Sequence, residues 1–560
     1  MPAVRYKDFG QLSLADIMVY QAIPPHPLWD KVSQVIDFSF ADEICAALYS
    51  PVGQRPYAPS LKLKIHLVQQ YYGISDREME LKVIGDIFVK RFLGLPVEHS
   101  KFDHSTIALD RDRLGAEMFH ACHVFILAQA LERGLFGKED DRWLVDSFHT
   151  NARVSTPGTF ELIQQAADLV LRHLEKRNPT GYANLLPHIQ RDKFSQKLKH
   201  GTTKAERNVA LSELVVQSYG LIAWIERLCV DKELVWDAPK EQQKSEDYRE
   251  RLLRVLRENV TGDPDDKKSK TPSSSAETTD SQPTVGYAEL SKGKKPGDRL
   301  VNAFDPEIRV GYKTSTRSFV GDKVQVVESA TSKLILLAEP IAGNEPDGKA
   351  LLAMVLRTVN EFGVKPSEVV ADKGYAWGAN FRGMKEKQLK LTAPLPKTVN
   401  PTGKYPNSQF THDPEARTVI CPHGQSTSSS THIEALAGTQ YKFKRETCNA
   451  CPLKGECWKP GEKDSRVGRT VFISDYAEEY KEVAAYLHTP EGKEALQARA
   501  EIERTNHEMK RHHGLREPRT RGRNKLRISV MLTSMVINIK VMVKSLLPPQ
   551  PKPTKAPFCA

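Results

Sequence analysis

Three acidic residues, Asp146, Asp372 and Glu503, stand where a divalent metal ion could be held. Asp146 follows the apolar run Trp143, Leu144, Val145, which reads as a short buried strand ending at the carboxylate. Asp372 closes a second such run, VKPSEVVAD, and is followed by Lys373, Gly374 and Tyr375. Desolvation opposes a carboxylate at the end of a buried strand unless something offsets its charge, and a divalent cation does so directly. Taken singly, either Asp reads equally well as a turn or helix-cap residue. Asp140, Asp141, Asp305 and Asp347 compete for the same role, although Asp305, followed by Pro306, is a natural turn residue.

Glu503 sits in EALQARAEIERTNHEMKRH, which predicts one helix from Glu494 to His512. Its apolar stripe is Ala495, Ala498, Ile502 and Met509. Arg499, Glu503, Asn506 and Lys510 fall within roughly 60° of one another at ~100° per residue, so they share one face. An ordinary solvated face with an i,i+4 Arg and Glu pair accounts for that helix alone. The two Asp strands turn the reading toward chemistry. Hard divalent ions prefer carboxylate oxygens, and two Mg²⁺ or Mn²⁺ ions about 4 Å apart can serve both the entering and the leaving oxygen of a phosphodiester. On this reading Asp146, Asp372 and Glu503 are the candidate ligands of such ions.

A second cluster is made of thiols. Cys421, in CPHG, precedes Cys448, Cys451 and Cys457 in CNACPLKGEC. C-x2-C-x5-C with a fourth Cys upstream fits a tetrahedral structural Zn²⁺ site, with His423 able to replace one ligand. A metal-free thiol cluster or a redox pair is the alternative. Cys45, Cys122 and Cys229 read as isolated buried thiols, and Cys559 as a free one.

Positive charge gathers after Glu503. From Lys510 to Arg527 there are eight Lys or Arg against one acid, Glu517. Lys510, Arg511, Arg519, Arg521 and Arg523, with Arg499, are the candidate phosphate contacts, and binding through them should weaken with salt.

The elements that must position these groups follow from composition. The chain has 560 residues, 39% hydrophobic, with 81 Lys and Arg against 70 acids and a net charge of +11. That length favours several domains, and that sign makes a polyanion the first partner to consider. No signal peptide is evident. The best membrane candidate, Ile528 to Ile539, is short of the ~20 apolar residues a span needs and is followed by Lys540 and Lys544, so it reads as a buried helix. The expectation is a cytoplasmic protein with no membrane partner.

Residues 1–138 read as a helical N-terminal domain, in which Ser75 or Asp76 caps a helix ahead of Glu78 or Glu80, and whose short helices around a turn suit DNA binding of helix-turn-helix type and ordinary helical packing equally. Residues 139–160 hold the first strand, 161–260 a helical insertion, and 261–298 a polar flexible linker. Residues 299–380 contain a predicted hairpin, SFVGDKVQVVES with SKLILLAEPIAG, then a helix and the Asp372 strand. Residues 381–490 form the Cys-rich insertion, 491–547 the Glu helix, basic loop and a last helix, and 548–560 a disordered tail. Strand, insertion, strand, strand, helix, strand is the order of a ribonuclease H-like α/β domain.

These residues together resemble the bacterial insertion-sequence DDE transposases, in the branch with a helical N-terminal transposase domain and a cysteine cluster before the final Glu. Arg499, Glu503 and Lys510 match that family's Tyr-x2-Arg-x3-Glu-x6-Lys, with Leu496 at the Tyr position. ADKGY at 371–375, SDRE at 75–78, FDHST at 102–106 and LREPRTRGRNKLR are similar to its other motifs, and the resemblance spans roughly residues 30 to 545. It implies cleavage at transposon ends and joining of the 3′-hydroxyl to target DNA. The implied partners are double-stranded DNA, as terminal inverted repeats and target, and a second copy of the chain. The alternatives are a nuclease of the same fold without strand transfer, and an inactive DNA-binding relic or repressor.

Overall fold

The computed structural model describes residues 4–9, 12–138, 141–199, 201–261, 286–291, 293–314, 316–396, 405–457 and 468–547. Its centre is a six-stranded sheet: β1 (Arg142–His149), β2 (Arg309–Tyr312), β3 (Ser318–Ser329), β4 (Ile335–Ala342), β5 (Glu368–Ala371) and β6 (Leu391–Thr392). The order is β2-β3-β1-β5-β6, with β4 also paired to β3. β3 is antiparallel to β1, β2 and β4, whereas β5 is parallel to β1 and β6 to β5. β-branched residues fill these strands because both faces are covered. The predicted hairpin is β3 with β4. Between β4 and β5 runs the helix Leu351–Phe362, which buries Leu351, Met354 and Val355 and ends at Gly363 in the left-handed region, φ 66°. This is a ribonuclease H-like arrangement.

The N-terminal region is all-helical, as its periodicity predicts, and its core is continuous with that of the sheet. The helices Pro59–Tyr72 and Ser105–Glu132 pack against the last helix, Arg523–Leu546, which also lies on β4. Leu67, Phe119, Ile126, Leu337, Met535 and Ile539 belong to one buried cluster. Ser75 caps Asp76–Gly85 through a reciprocal box: its hydroxyl accepts from the Glu78 N–H while Glu78 accepts from the Ser75 N–H at 2.7 Å. By length and composition the helices Ser105–Glu132, Lys204–Val230 and Arg523–Leu546 are apolar enough to cross a membrane, but 78% of the last one's apolar window is buried inside the fold. Ile528–Ile539 is thus the buried helix its sequence suggests.

Four expectations need correction. β1 continues past Asp146 to His149, because Ser147, Phe148 and His149 still pair with Gln325, Val324 and Lys323 of β3. The helical insertion has its own core, including Ile163, Leu171, Leu214 and Leu256. The described part of the expected linker folds back onto it: Ala288–Glu289 pairs with Val260–Thr261, and Tyr287 is buried. Residues 262–285 and the expected tail at 548–560, with Cys559, lie outside the described residues. The Cys-rich insertion starts later than residue 381, since Gly378–Glu386 is a core helix and Leu391–Thr392 is β6. Cys229 is exposed rather than buried.

Candidate active site

The parallel register of β1 and β5 sets Val145 opposite Ala371, so Asp146 in mid-strand and Asp372, just past the end of β5, follow at the next position of each. Asp146 is half-buried in mid-strand. Burial first, and then the charges of Asp372 and Glu503, push its carboxyl up to about 6, although the Ser147 N–H and Arg499 act the other way. The Ser147 N–H donates to Asp146 Oδ1 at 2.8 Å.

The Glu503 segment is not one helix. Thr489 caps Pro490–Ala498, a 3₁₀ turn covers Arg499–Glu501, and Ile502–Arg511 follows. Ile502, Thr505, Asn506 and Met509 are buried, and this helix packs against β1. Asn506 donates from Nδ2 to Asp146 Oδ2 at 3.0 Å. Glu503 is 64% exposed and held by Arg499 at 3.7 Å, and the Lys510 ammonium lies 5.7 Å from the centre of the Phe148 ring. Leu496, at the family's Tyr position, packs against the core.

Around Asp372 the local backbone explains the Gly-Tyr that follows. Asp372 accepts from the Gly374 N–H at 2.7 Å, capping a 3₁₀ turn, so the cap reading of this Asp is also correct. A Cβ on Gly374 would sit 3.0 Å from Asp372 Oδ1. Tyr375 is fully buried beside Asp146, Asp347 and Asp372, with its hydroxyl 3.4 Å from Gln325 Nε2. Of the competing acids, Asp347 accepts from Lys323 at 3.1 Å, Asp141 accepts from Ser329 Oγ at 3.0 Å before the start of β1, and Asp305 accepts from the Gly522 N–H at 3.3 Å. Asp140 lies outside the described residues. A further acid, Glu328, lies fully buried at a β-bulge in β3 against Thr505, and its burial pushes it up to about 7.

The basic residues divide. Lys510, Arg511 and Arg519 line grooves beside the Glu503 helix, and Arg521 lines a third recess with Lys525. Arg523 departs from the expectation: its Nε pairs with Asp322 at 3.1 Å and its guanidinium also donates to the Glu307 carbonyl at 2.9 Å, fastening the last helix to the sheet. Sequence reasoning placed Asn506 on the right face without giving it a partner. It passed over Lys313 and Arg317, which look like turn residues until the fold brings them beside Lys510.

The four cysteines of the insertion share one neighbourhood. Cys421, Cys448 and Cys457 pack on a small core of Phe410, Val419, Tyr441, Phe443 and Val471. Burial first, and then the neighbouring cysteines, push the Cys448 and Cys457 thiols up. The Arg469 N–H donates to Cys448 Sγ at 3.4 Å. Among the described residues no group of three His, Cys, Asp or Glu side chains is gathered tightly enough to hold a metal ion. By donor chemistry, the carboxylates around Asp146 fit a hard divalent cation, whose charge would relieve their mutual repulsion. The thiols fit Zn²⁺.

Two family profiles match the chain. One, "Transposase domain (DUF772)", covers residues 17–113, and the other, "Transposase DDE domain", covers residues 420–543, including the cysteines, Glu503 and most of the last helix. A stretch of 157 residues, 28% of this chain, is 24% identical to the uncharacterized protein ORF8 in the nfe locus of Rhizobium meliloti, covering 76% of that protein. No solved structure matches. The chain therefore carries an N-terminal transposase domain and a DDE-type transposase domain, consistent with an insertion-sequence DDE transposase.

Proposed function

We propose that this protein cleaves DNA at transposon ends and transfers the freed 3′-hydroxyl into target DNA, using Asp146, Asp372 and Glu503. The observation that carries the reading is the adjacent register of Asp146 and Asp372 beneath the helix that bears Glu503 and binds Asp146 through Asn506. These three carboxylates would hold two Mg²⁺ or Mn²⁺ ions. When bound, such ions supply positive charge to both the entering and the leaving oxygen of a phosphodiester. The chain's own contribution is positional. Asn506 fixes the Asp146 carboxylate, the Gly374 N–H fixes Asp372, and Arg499 and Lys510 offer cations to the phosphates beside the scissile bond. Water is the first nucleophile and the 3′-hydroxyl the second.

Cys421, Cys448, Cys451 and Cys457 would hold a structural Zn²⁺ that braces the insertion. Two copies of the chain would act on paired ends, in the cytoplasm and on the bacterial nucleoid. A supercoiled plasmid carrying the element's ends tests the catalytic reading. Wild type with Mg²⁺ should nick and join, Asp146→Asn should do neither, and unchanged cleavage by that variant would refute the assignment. Cleavage without joining would favour a nuclease of the same fold.

A further inference from the structure

Beside the carboxylates lies a recess of about 410 Å³, lined by His149, Lys313, Arg317, Lys510, Arg511 and Arg516 and by no acid. None of its five Lys or Arg side chains has an ion-pair partner among the described residues, whereas Arg153 pairs with Glu517 and Arg111 with Asp76. Like charge is crowded here: burial first, and then Lys313, Arg516 and Arg511, lower the Lys510 ammonium, although Asp146 acts the other way. Such a concentration of unpaired cations is unfavourable until an anion enters.

The recess does not stand alone. Lys510, Arg511 and Arg516 also line a larger groove of about 810 Å³ between the basic loop and the N-terminal helices, where Arg111, Arg153 and Arg519 join them. Gln70 donates to the His513 carbonyl at 3.2 Å, and the Asn151 N–H donates to the Arg516 carbonyl at 2.7 Å. Three segments far apart in sequence are thereby fastened into one positively charged wall. In its described lining the only phenyl and phenol rings are Phe319, which packs on His149, and Tyr72, which packs on Tyr71, so the lining offers cations rather than a row of such rings for unstacked bases.

We propose that the recess and the groove form one track for the backbone phosphates of duplex DNA. The track runs from Asp146, past the turn bearing Lys313 and Arg317, to the N-terminal helices. It rests on the transposase reading above and adds a partner surface on two elements, the β2–β3 turn and the N-terminal domain, that the catalytic trio does not require. A long polyanion suits it better than a small one, because duplex DNA presents about one charge per 1.7 Å of axis and can meet all of these cations at once.

The test is fluorescence anisotropy with a labelled 30-base-pair duplex of arbitrary sequence, in EDTA and over a salt series. Lys313 and Arg317 are exposed, so Lys313→Ala/Arg317→Ala should fold, with an unchanged melting temperature. Lys197→Ala/Lys199→Ala, on the exposed helical insertion, removes the same charge elsewhere. The track requires the first variant to lose about tenfold in affinity and about 1–2 in the slope of log Kd against log salt, with the second unchanged. Unaltered binding by the first, or an equal loss in both, overturns it. Asp146→Asn is assayed in parallel for cleavage only. If it still cleaves, the catalytic trio fails and the track stands, whereas wild-type binding by the Lys313/Arg317 variant removes the track and leaves the trio.

Discussion

Asn506 donates to Asp146 Oδ2 at 3.0 Å, and this one bond ties the helix of Glu503 to the strand of the first carboxylate. A hydrogen bond to a charged group is worth about 1.5–3 kcal/mol. Asn506→Ala should therefore slow plasmid cleavage by roughly 10- to 100-fold, and Asn506→Asp, which sets a further negative charge against Asp146, should slow it more. Equal activity in all three proteins would detach Asn506 from the chemistry.

The raised carboxyl of Asp146 predicts how Mg²⁺ acts on the protein. Its value in the fold is about 6 against an ordinary 3.8. Because the folded value is the higher one, its contribution to stability is full below pH 3.8 and is lost as pH rises through 6. At pH 8 Asp146 carries its charge beside Asp372, so Mg²⁺ should raise the melting temperature there. At pH 5, where Asp146 holds its proton, it should do so much less. Asp146→Asn should lose most of the Mg²⁺ response, which differential scanning fluorimetry in EDTA and in Mg²⁺ would reveal.

Glu328 obeys the same sign in a place with no metal role. Burial lifts it from 4.5 to about 7, so stability falls as pH climbs from 4.5 through 7. Glu328→Gln keeps the shape and removes the charge. Above pH 7 it should stabilise the protein by up to about 3 kcal/mol, with little effect below pH 5. Urea melts at the two pH values decide it, and a variant less stable at pH 8 would show that the charge is needed.

Asn538 of the last helix mimics a strand at the edge of the sheet. Its side chain accepts from the Ile335 N–H at 2.8 Å and donates to the Ile335 carbonyl at 2.9 Å. Asn538→Ala leaves the Ile335 N–H buried without its partner, while the Ile335 carbonyl keeps His123 Nε2 at 3.1 Å, and should cost about 1–3 kcal/mol. Denaturant unfolding measures this directly.

The cysteine cluster makes a compositional prediction. Purified protein should contain one zinc per chain by mass spectrometry, and Cys448→Ser should lose it. Wild-type protein purified without chelator and free of zinc would end that proposal.

How far the residues alone revealed this molecule differs by element. The β3 and β4 hairpin and the helix Leu351–Phe362 were legible because their apolar periods are unbroken and Gly363 marks a stop. The strand end and turn at Asp372 were legible from the apolar run before it and the Gly-Tyr after it. The end of β1 was not, since Ser147 and His149 look like loop residues and stay in the sheet only because β3 supplies their hydrogen bonds. The break at Arg499–Glu501 left no mark either, because all three residues suit a helix as well as a tighter turn. Lys313, Arg317 and Glu328 acquire meaning only from neighbours nearly two hundred positions away, a distance at which local propensity says nothing.

The shared core of the first helices and the last one has a consequence for synthesis. β1 leaves the ribosome some 400 residues before the helix that ends at Leu546, and at about 5–20 residues per second this is a wait of roughly 20–80 seconds. During that interval the N-terminal helices lack the surface that closes their core, and Asp146 lacks Asn506 and Glu503. A force-sensitive arrest sequence placed after residue 546 should report compaction that the same sequence placed before residue 523 does not. The grouping of Asp146 with Asn506 and Glu503 is thus completed last, and a prematurely terminated copy carries the strands without the helix that joins them.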